Sequence, residues 1–279
     1  VIVGRSAQKA NALATAIQEA GLHAEAIVAD AESIESLRSA VDRTRDQHGR
    51  LDLLINCVGI QHEELLADVS EEKFDEIYRV NLKAAMFVSQ ACARHQVAGG
   101  RGGAQVHLLS VRAQLGMRAR GYSAYCATKG ALVMLIKQHA SELAPHGIRV
   151  NGVAPTVVAT EMGRHWLDNE VTRRYLLERI PMGRVAEPKD IVGPVLFLCT
   201  PAASYITGQN LRVQPPVEAH TTVWYNPDMI SAHFMIPGVI GMVLFAIAAI
   251  LTATSVVRER ERGTIEQLIV TPIRPWELI

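Results

Sequence analysis

The stretch Leu51-Asp52-Leu53-Leu54-Ile55-Asn56-Cys57-Val58-Gly59 is a short apolar run that ends at a glycine, and its neighbours decide what kind of strand it forms. Downstream, Ser70 to Gln96 carries a long helical pattern. The loop Gly99-Gly100-Arg101-Gly102-Gly103 follows, and a second apolar run fills Ala104 to Leu109. Upstream, Ser33 to His48 reads as a helix, His23 to Val28 as a strand, Ala7 to Ala20 as a helix stopped by Gly21, and Val1-Ile2-Val3 as a strand. Helix Tyr122 to Leu143, strand Arg149 to Val153, helix Lys189 to Cys199 and strand Gln209 to Val213 continue the alternation. Strands that are apolar throughout and separated by helices imply a parallel sheet covered on both faces, because each crossover must lay a helix back on the sheet. The expected fold class is α/β, a doubly wound parallel sheet over residues 1–213.

Composition narrows the function classes. With 49% apolar residues in 279, the chain can bury one large core. Lys plus Arg equals Asp plus Glu at 28 each, which excludes a global basic field for nucleic acid and an acidic tail. The cysteines Cys57, Cys92, Cys126 and Cys199 form no C-x-x-C pair and read as reduced core thiols. The 10 histidines include no H-E-x-x-H, so no metal site is expected.

After Val213 the pattern breaks at Gln214-Pro215-Pro216, and Phe234 to Val257 runs for 24 residues without a charge. That length suits a transmembrane helix, with a buried core helix as the alternative. The expected division is 1–213, a junction at 214–233, the apolar helix at 234–257 and a polar segment at 258–279.

In Tyr122-Ser123-Ala124-Tyr125-Cys126-Ala127-Thr128-Lys129-Gly130, Tyr125 and Lys129 stand four apart and share one helix face. An ammonium beside a phenol favours the phenolate, which would make Tyr125 a usable general acid or base for an alcohol or carbonyl. Taken alone, a Y-x-x-x-K pair occurs by chance on many half-exposed helices. Further motifs stand in order around it. Asn56-Cys57-Val58-Gly59 closes a strand, Asn81 sits in Val80-Asn81-Leu82-Lys83, and Ser110 ends His107-Leu108-Leu109. Pro155-Thr156-Val157-Val158-Ala159-Thr160, Gly183-Arg184-Val185-Ala186-Glu187-Pro188 and Tyr205-Ile206-Thr207-Gly208-Gln209 follow.

Together these motifs resemble the short-chain dehydrogenase/reductase family, and the resemblance implies a Rossmann-like fold and a set of roles. Tyr125 would exchange the proton with the substrate oxygen, and Ser110 would hydrogen-bond that oxygen. Lys129 would lower the Tyr125 pKa and hold the ribose, while Asn81 would anchor a proton-relaying water. Asn56 and Gly59 would line the cofactor, and Pro155, Val158 and Thr160 would receive the nicotinamide carboxamide. Two departures stand out: Thr156 replaces a usual glycine, and Ser110 precedes Tyr125 by 15 residues, a longer spacing than many members show.

The resemblance also implies a glycine-rich phosphate loop after a first strand. No glycine cluster precedes Gly21, so Val1 to Val3 reads as the second strand, with the first strand and its loop missing. A chain in that form is expected to bind dinucleotide poorly or not at all. At the end of this strand Gly4, Arg5 and Ser6 offer a cation and no carboxylate, which suits the 2′-phosphate of NADP(H), with NAD(H) as the alternative. Asp30 reads either as an adenine contact or as a surface turn. A small hydroxy or keto substrate, a homo-oligomer and a cytoplasmic location are expected for this part, and no nucleic-acid partner. His165, Trp166, Arg173, Arg174 and Tyr175 lie where the substrate pocket would form and suit an acidic or polyhydroxy substrate.

The tail resembles a different family. Trp224-Tyr225-Asn226-Pro227, the apolar run from Phe234, Arg258-Glu259-Arg260-Glu261-Arg262-Gly263 and Thr271-Pro272-Ile273-Arg274-Pro275-Trp276 are similar to an ABC-2 type transporter permease. Arg258, Arg260 and Arg262 would stay cytoplasmic and place His233 and everything before it across the membrane, away from a cytoplasmic cofactor pool. The expectation is therefore a chimera, with membrane contact through 234–257. A transport component with the front part as passenger is the alternative.

Overall fold

In the computed structural model, residues 1–117 and 120–213 are described, together with Phe245 and Ile247. The chain divides into two units, Val1–Val217 and Glu218–Ile279, and every strand and helix named in this section belongs to the first. Apart from Phe245 and Ile247, the expected junction, apolar helix and permease-like segment lie outside the described residues. Among the described residues no helix is long and apolar enough to cross a membrane, and no group of three or more His, Cys, Asp or Glu is arranged to hold a metal.

Strands and helices alternate as the hydrophobic patterns require. β1 (Ile2–Gly4), α1 (Ala7–Glu19), β2 (Ala26–Val28), α2 (Ile34–His48) and β3 (Leu53–Asn56) open the chain. α3 (Glu71–Tyr78) and α4 (Ala84–Gly99) are joined by a π-helical turn, Arg79–Lys83. β4 (Gly103–Leu108), α5 (Ser123–Leu143), β5 (Ile148–Pro155), α6 (Arg164–Leu167), α7 (Glu170–Leu177), α8 (Pro188–Cys199) and β6 (Asn210–Val213) complete the series. Ser6, Ser33 and Ser70 cap α1, α2 and α3 through their hydroxyls, and Gly49 ends α2 in the left-handed region.

Every strand pairing is parallel, but the strands form two sheets, β1-β2 and β3-β4-β5-β6. One continuous sheet was the expectation. The difference arises because, among the described residues, no strand pairs with the free edges of β1 and β3. On β3, Leu54 packs towards α2 and α4 beside Val41, Ala91 and Cys92, whereas Leu53 and Ile55 on the other face are exposed. Cys92 is buried, Cys126 and Cys199 are half-buried, and Cys57, one residue beyond the end of β3, is exposed rather than in the core; all four are free thiols.

Period-two alternation in the central strands sets the two cores. Val106 and Leu108 of β4, with Val153 of β5, pack under Ile191, Val195 and Leu198 of α8. On the opposite face Leu109, Val150 and Ala154 meet Leu132, Val133 and Ile136 of α5 and Ala85 of α4. β4 also sends two fully buried polar residues inward, Gln105 and His107. They are tolerated because α4 supplies partners: Gln105 Nε2 donates to Gln96 Oε1 at 3.0 Å, and His107 Nε2 lies 3.1 Å from Ser89 Oγ.

Candidate active site

The strand ends of β3, β4 and β5 and the start of α5 converge on one constellation. Tyr125 and Lys129 lie on the buried face of α5, 8% and 3% exposed, with Lys129 Nζ 5.8 Å from the centre of the Tyr125 ring. Ser110, just past β4, is buried, and its hydroxyl favours the ionised form of the Tyr125 phenol. The Ser110 oxygen also accepts from Arg112 N at 3.1 Å, which fixes its rotamer.

Asn81 sits in the π-helical turn and is 1% exposed. Its amide group is committed to structure: Oδ1 accepts from Ile60 N at 2.8 Å, and Nδ2 donates to Ile60 O at 3.0 Å and to Thr128 Oγ1 at 3.3 Å. This side chain therefore ties the 57–60 loop to α5. Asn56 does the same from the other end. Its Oδ1 accepts from Val58 N at 3.1 Å and its Nδ2 donates to His107 Nδ1 at 3.2 Å. Between them Gly59 lies against the lysine, where a Cβ would stand 3.4 Å from Lys129 Nζ and 3.5 Å from Asn81 Oδ1.

Burial governs the electrostatics. Lys129 is brought down to about 8 because its cation is desolvated, with the nearby Cys57 thiol pulling the other way. Tyr125 is shifted upward by burial; the Ser110 hydroxyl and the Arg112 guanidinium oppose that shift. The sequence reading makes Lys129 the group that lowers Tyr125. Here the ammonium donates to the Leu108 carbonyl, 2.9 Å away, and stands 5.8 Å from the centre of the Tyr125 ring.

The cofactor-side residues divide. Pro155 ends β5 beside Val213. Val158 bridges Ala186, with Ala159 N donating to Ala186 O at 2.8 Å, so the G-R-V-A-E-P motif braces this loop. Arg184 forks onto Asp190 at 2.7 and 2.9 Å, holding the Asp190 carboxyl well below its usual range, and Asp190 in turn closes the α8 capping box with Glu187. Thr160 precedes the turn Glu161–Gly163, and its hydroxyl donates back to the Val158 carbonyl at 3.4 Å.

At the far end, Ser6 caps α1 by accepting from Lys9 N at 3.3 Å, and Asp30 is exposed and forms a turn by accepting from Glu32 N at 3.0 Å. Arg5 is exposed. Lys9 Nζ reaches Glu161 at 3.0 Å and so brings the start of α1 beside the loop after Thr160. A nicotinamide carboxamide would fit the loop after β5 on one observation that the motifs do not give: Thr156 Oγ1 is buried without a hydrogen-bond partner there. Thr156 is noticeable in the sequence only as a substitution for glycine. His107 and Glu63 also escape the motifs, because their roles arise from contacts across the fold.

Comparison with known proteins agrees with this geometry. Residues 1–214 match the family model described as enoyl-(acyl carrier protein) reductase, and residues 199–279 match one described as ABC-2 family transporter protein. L-xylulose reductase from Mesocricetus auratus is 38% identical over 215 residues, covering 71% of this chain and 87% of that protein. Gluconate 5-dehydrogenase from Gluconobacter oxydans is 34% identical over 213 residues, covering 76% and 82%. The crystal structure of a gluconate 5-dehydrogenase from Burkholderia cenocepacia, in complex with NADP and tartrate, superposes with a TM-score of 0.73 at 33% identity, covering 76% of this chain and 82% of that one. With its Ser110, Tyr125 and Lys129 assembled on the fold these proteins share, the chain belongs to the short-chain dehydrogenase/reductase family of oxidoreductases.

Proposed function

We propose that residues 1–213 interconvert a small polyhydroxylated alcohol and its ketone with NADP(H). The observation that carries this reading is the burial of Tyr125 and Lys129 on one face of α5, with the ammonium 5.8 Å from the centre of the ring and the Ser110 hydroxyl buried at the end of the neighbouring strand. A substrate oxygen placed between the two hydroxyls accepts from Ser110 as negative charge develops on it, and Tyr125 gives or takes the proton at its phenolic oxygen. Lys129, held by the Leu108 carbonyl, keeps further N–H donors for the ribose. Asn56 and Asn81 hold the loop that shapes this end of the cleft, and Pro155, Thr156, Val158 and Thr160 form the carboxamide side. The bound nicotinamide supplies the hydride exchange with the substrate carbon.

Arg5 and Ser6 at the end of β1 support NADP(H) over NAD(H), since they bring a cation and no carboxylate to the place where the ribose 2′ position is read. The NADP complex of the Burkholderia relative points the same way. The names of the relatives, a xylulose reductase and a gluconate dehydrogenase, favour a small sugar-derived substrate. A homo-oligomer and a cytoplasmic location accompany this reading. A second reading, a transport component, is carried by the match at residues 199–279 alone.

The test is NADPH oxidation by the full chain with small keto sugars and keto acids. Turnover that disappears in Tyr125→Phe, with unchanged circular dichroism, supports the proposal. Full activity in that variant removes Tyr125 from the chemistry.

A further inference from the structure

Beyond the Tyr125–Lys129 pair, one carboxylate gathers three distant parts of the chain. Glu63 Oε1 accepts from Trp166 Nε1 of α6 at 2.6 Å, across 103 residues of sequence. Its Oε2 accepts from Arg120 Nη1 at 3.1 Å, and Arg120 Nη2 donates onward to Thr172 Oγ1 of α7 at 3.3 Å. Tyr122 joins the cluster through its ring, which meets that of Trp166 edge-on. Burial, and then this carboxylate, push Tyr122 upward, so its phenol stays neutral. The ion pair is partly shielded, with the Arg120 and Glu63 side chains 30% and 26% exposed.

The clasp leads to the catalytic tyrosine through rings. Trp166 meets Tyr122 edge-on with centroids 6.2 Å apart, and Tyr122 lies 6.4 Å from Tyr125. The backbone beneath is equally close. Glu64 N donates to Gly121 O at 2.9 Å, and a Cβ on Gly121 would overlap the Glu64 carbonyl. Thus the loop after β3, the loop before α5 and the α6–α7 segment meet at one side chain beside Tyr125.

We infer that Glu63 is a positioning residue for substrate. Its carboxylate holds Tyr122 and Trp166 as a fixed wall on the substrate side of Tyr125, and it fastens α6 and α7 over that side. The substrate part rests on the oxidoreductase reading above; the clasp itself does not.

Two measurements on the full chain test it, with Glu63→Ala, Glu63→Gln and Trp166→Phe. In amide hydrogen exchange, residues 164–177 should exchange about tenfold faster in Glu63→Ala, and less so in Glu63→Gln, which keeps an acceptor but loses the charge. Protection of α5 and β4 should be unchanged, which shows that the variant is folded. In NADPH-dependent turnover, KM should rise about tenfold in Glu63→Ala with kcat within about threefold, the signature of lost substrate positioning. Unaltered exchange at 164–177 overturns the clasp. Faster exchange with an unchanged KM overturns the positioning role while leaving the oxidoreductase reading intact. Absence of turnover in the unsubstituted chain fails that reading and the positioning role with it.

Discussion

His107 makes the protein's stability depend on pH in a way that can be worked out from its surroundings. The imidazole is completely buried in β4 and brought down from 6.5 to about 3, chiefly by desolvation of its cation, with His139 and Lys129 adding repulsion. Asn56 uses its Oδ1 on Val58 N and therefore donates through Nδ2, so Nδ1 of His107 must accept and Nε2 must carry the proton towards Ser89. A second proton has no place in that arrangement. Because the folded value lies below the unfolded one, the unfolded chain binds more protons between 6.5 and about 3. Stability is then full above the unfolded value and falls as the pH drops below it. Lowering the pH from about 7.5 to about 5 should cost about 2 kcal/mol through this residue alone. The buried His139, also shifted downward, adds in the same direction. Urea unfolding followed by circular dichroism across this range, in the unsubstituted chain and in His107→Asn, isolates the His107 share as the difference between their slopes. Equal slopes, or an imidazole that titrates near 6.5 by NMR in the folded protein, would refute the reasoning.

Asn81→Ala should destabilise the fold by about 2 to 4 kcal/mol, because it strands both backbone groups of Ile60 in a partly buried loop; a shift in urea midpoint below that range would show that the loop finds other partners. Thr156→Val should leave stability unchanged or raise it by up to about 1 kcal/mol, since the buried hydroxyl has no partner to lose, while weakening NADPH binding about fivefold by calorimetry. Unchanged affinity would remove Thr156 from the carboxamide site.

The order and type of the elements are set by local sequence. Hydrophobic period and glycine stops specify β3, β4 and α5 to within a few residues, because each is decided within a window of neighbours, whereas the single helix read over Ser70 to Gln96 is divided into α3 and α4 by the π-helical turn Arg79–Lys83. The Tyr125–Lys129 face follows from helical geometry and the cluster of motifs around it. Several features arise only from tertiary contacts. Asn81 turns out to hold Ile60 because a π-helical turn aims its side chain at the loop. Tyr125 is shifted upward because desolvation is a property of packing, which no spacing of residues encodes. His107, legible only as one more residue of an apolar strand, gains its meaning from Asn56 and Ser89, which lie 51 and 18 residues away. The sheet division likewise depends on which edges find partners. By itself, then, the sequence determined the α/β alternation and the shared helix face of Tyr125 and Lys129. The protonation states, the braced loops and the Glu63 clasp were decided by the tertiary structure, because they depend on distances between groups far apart in the chain.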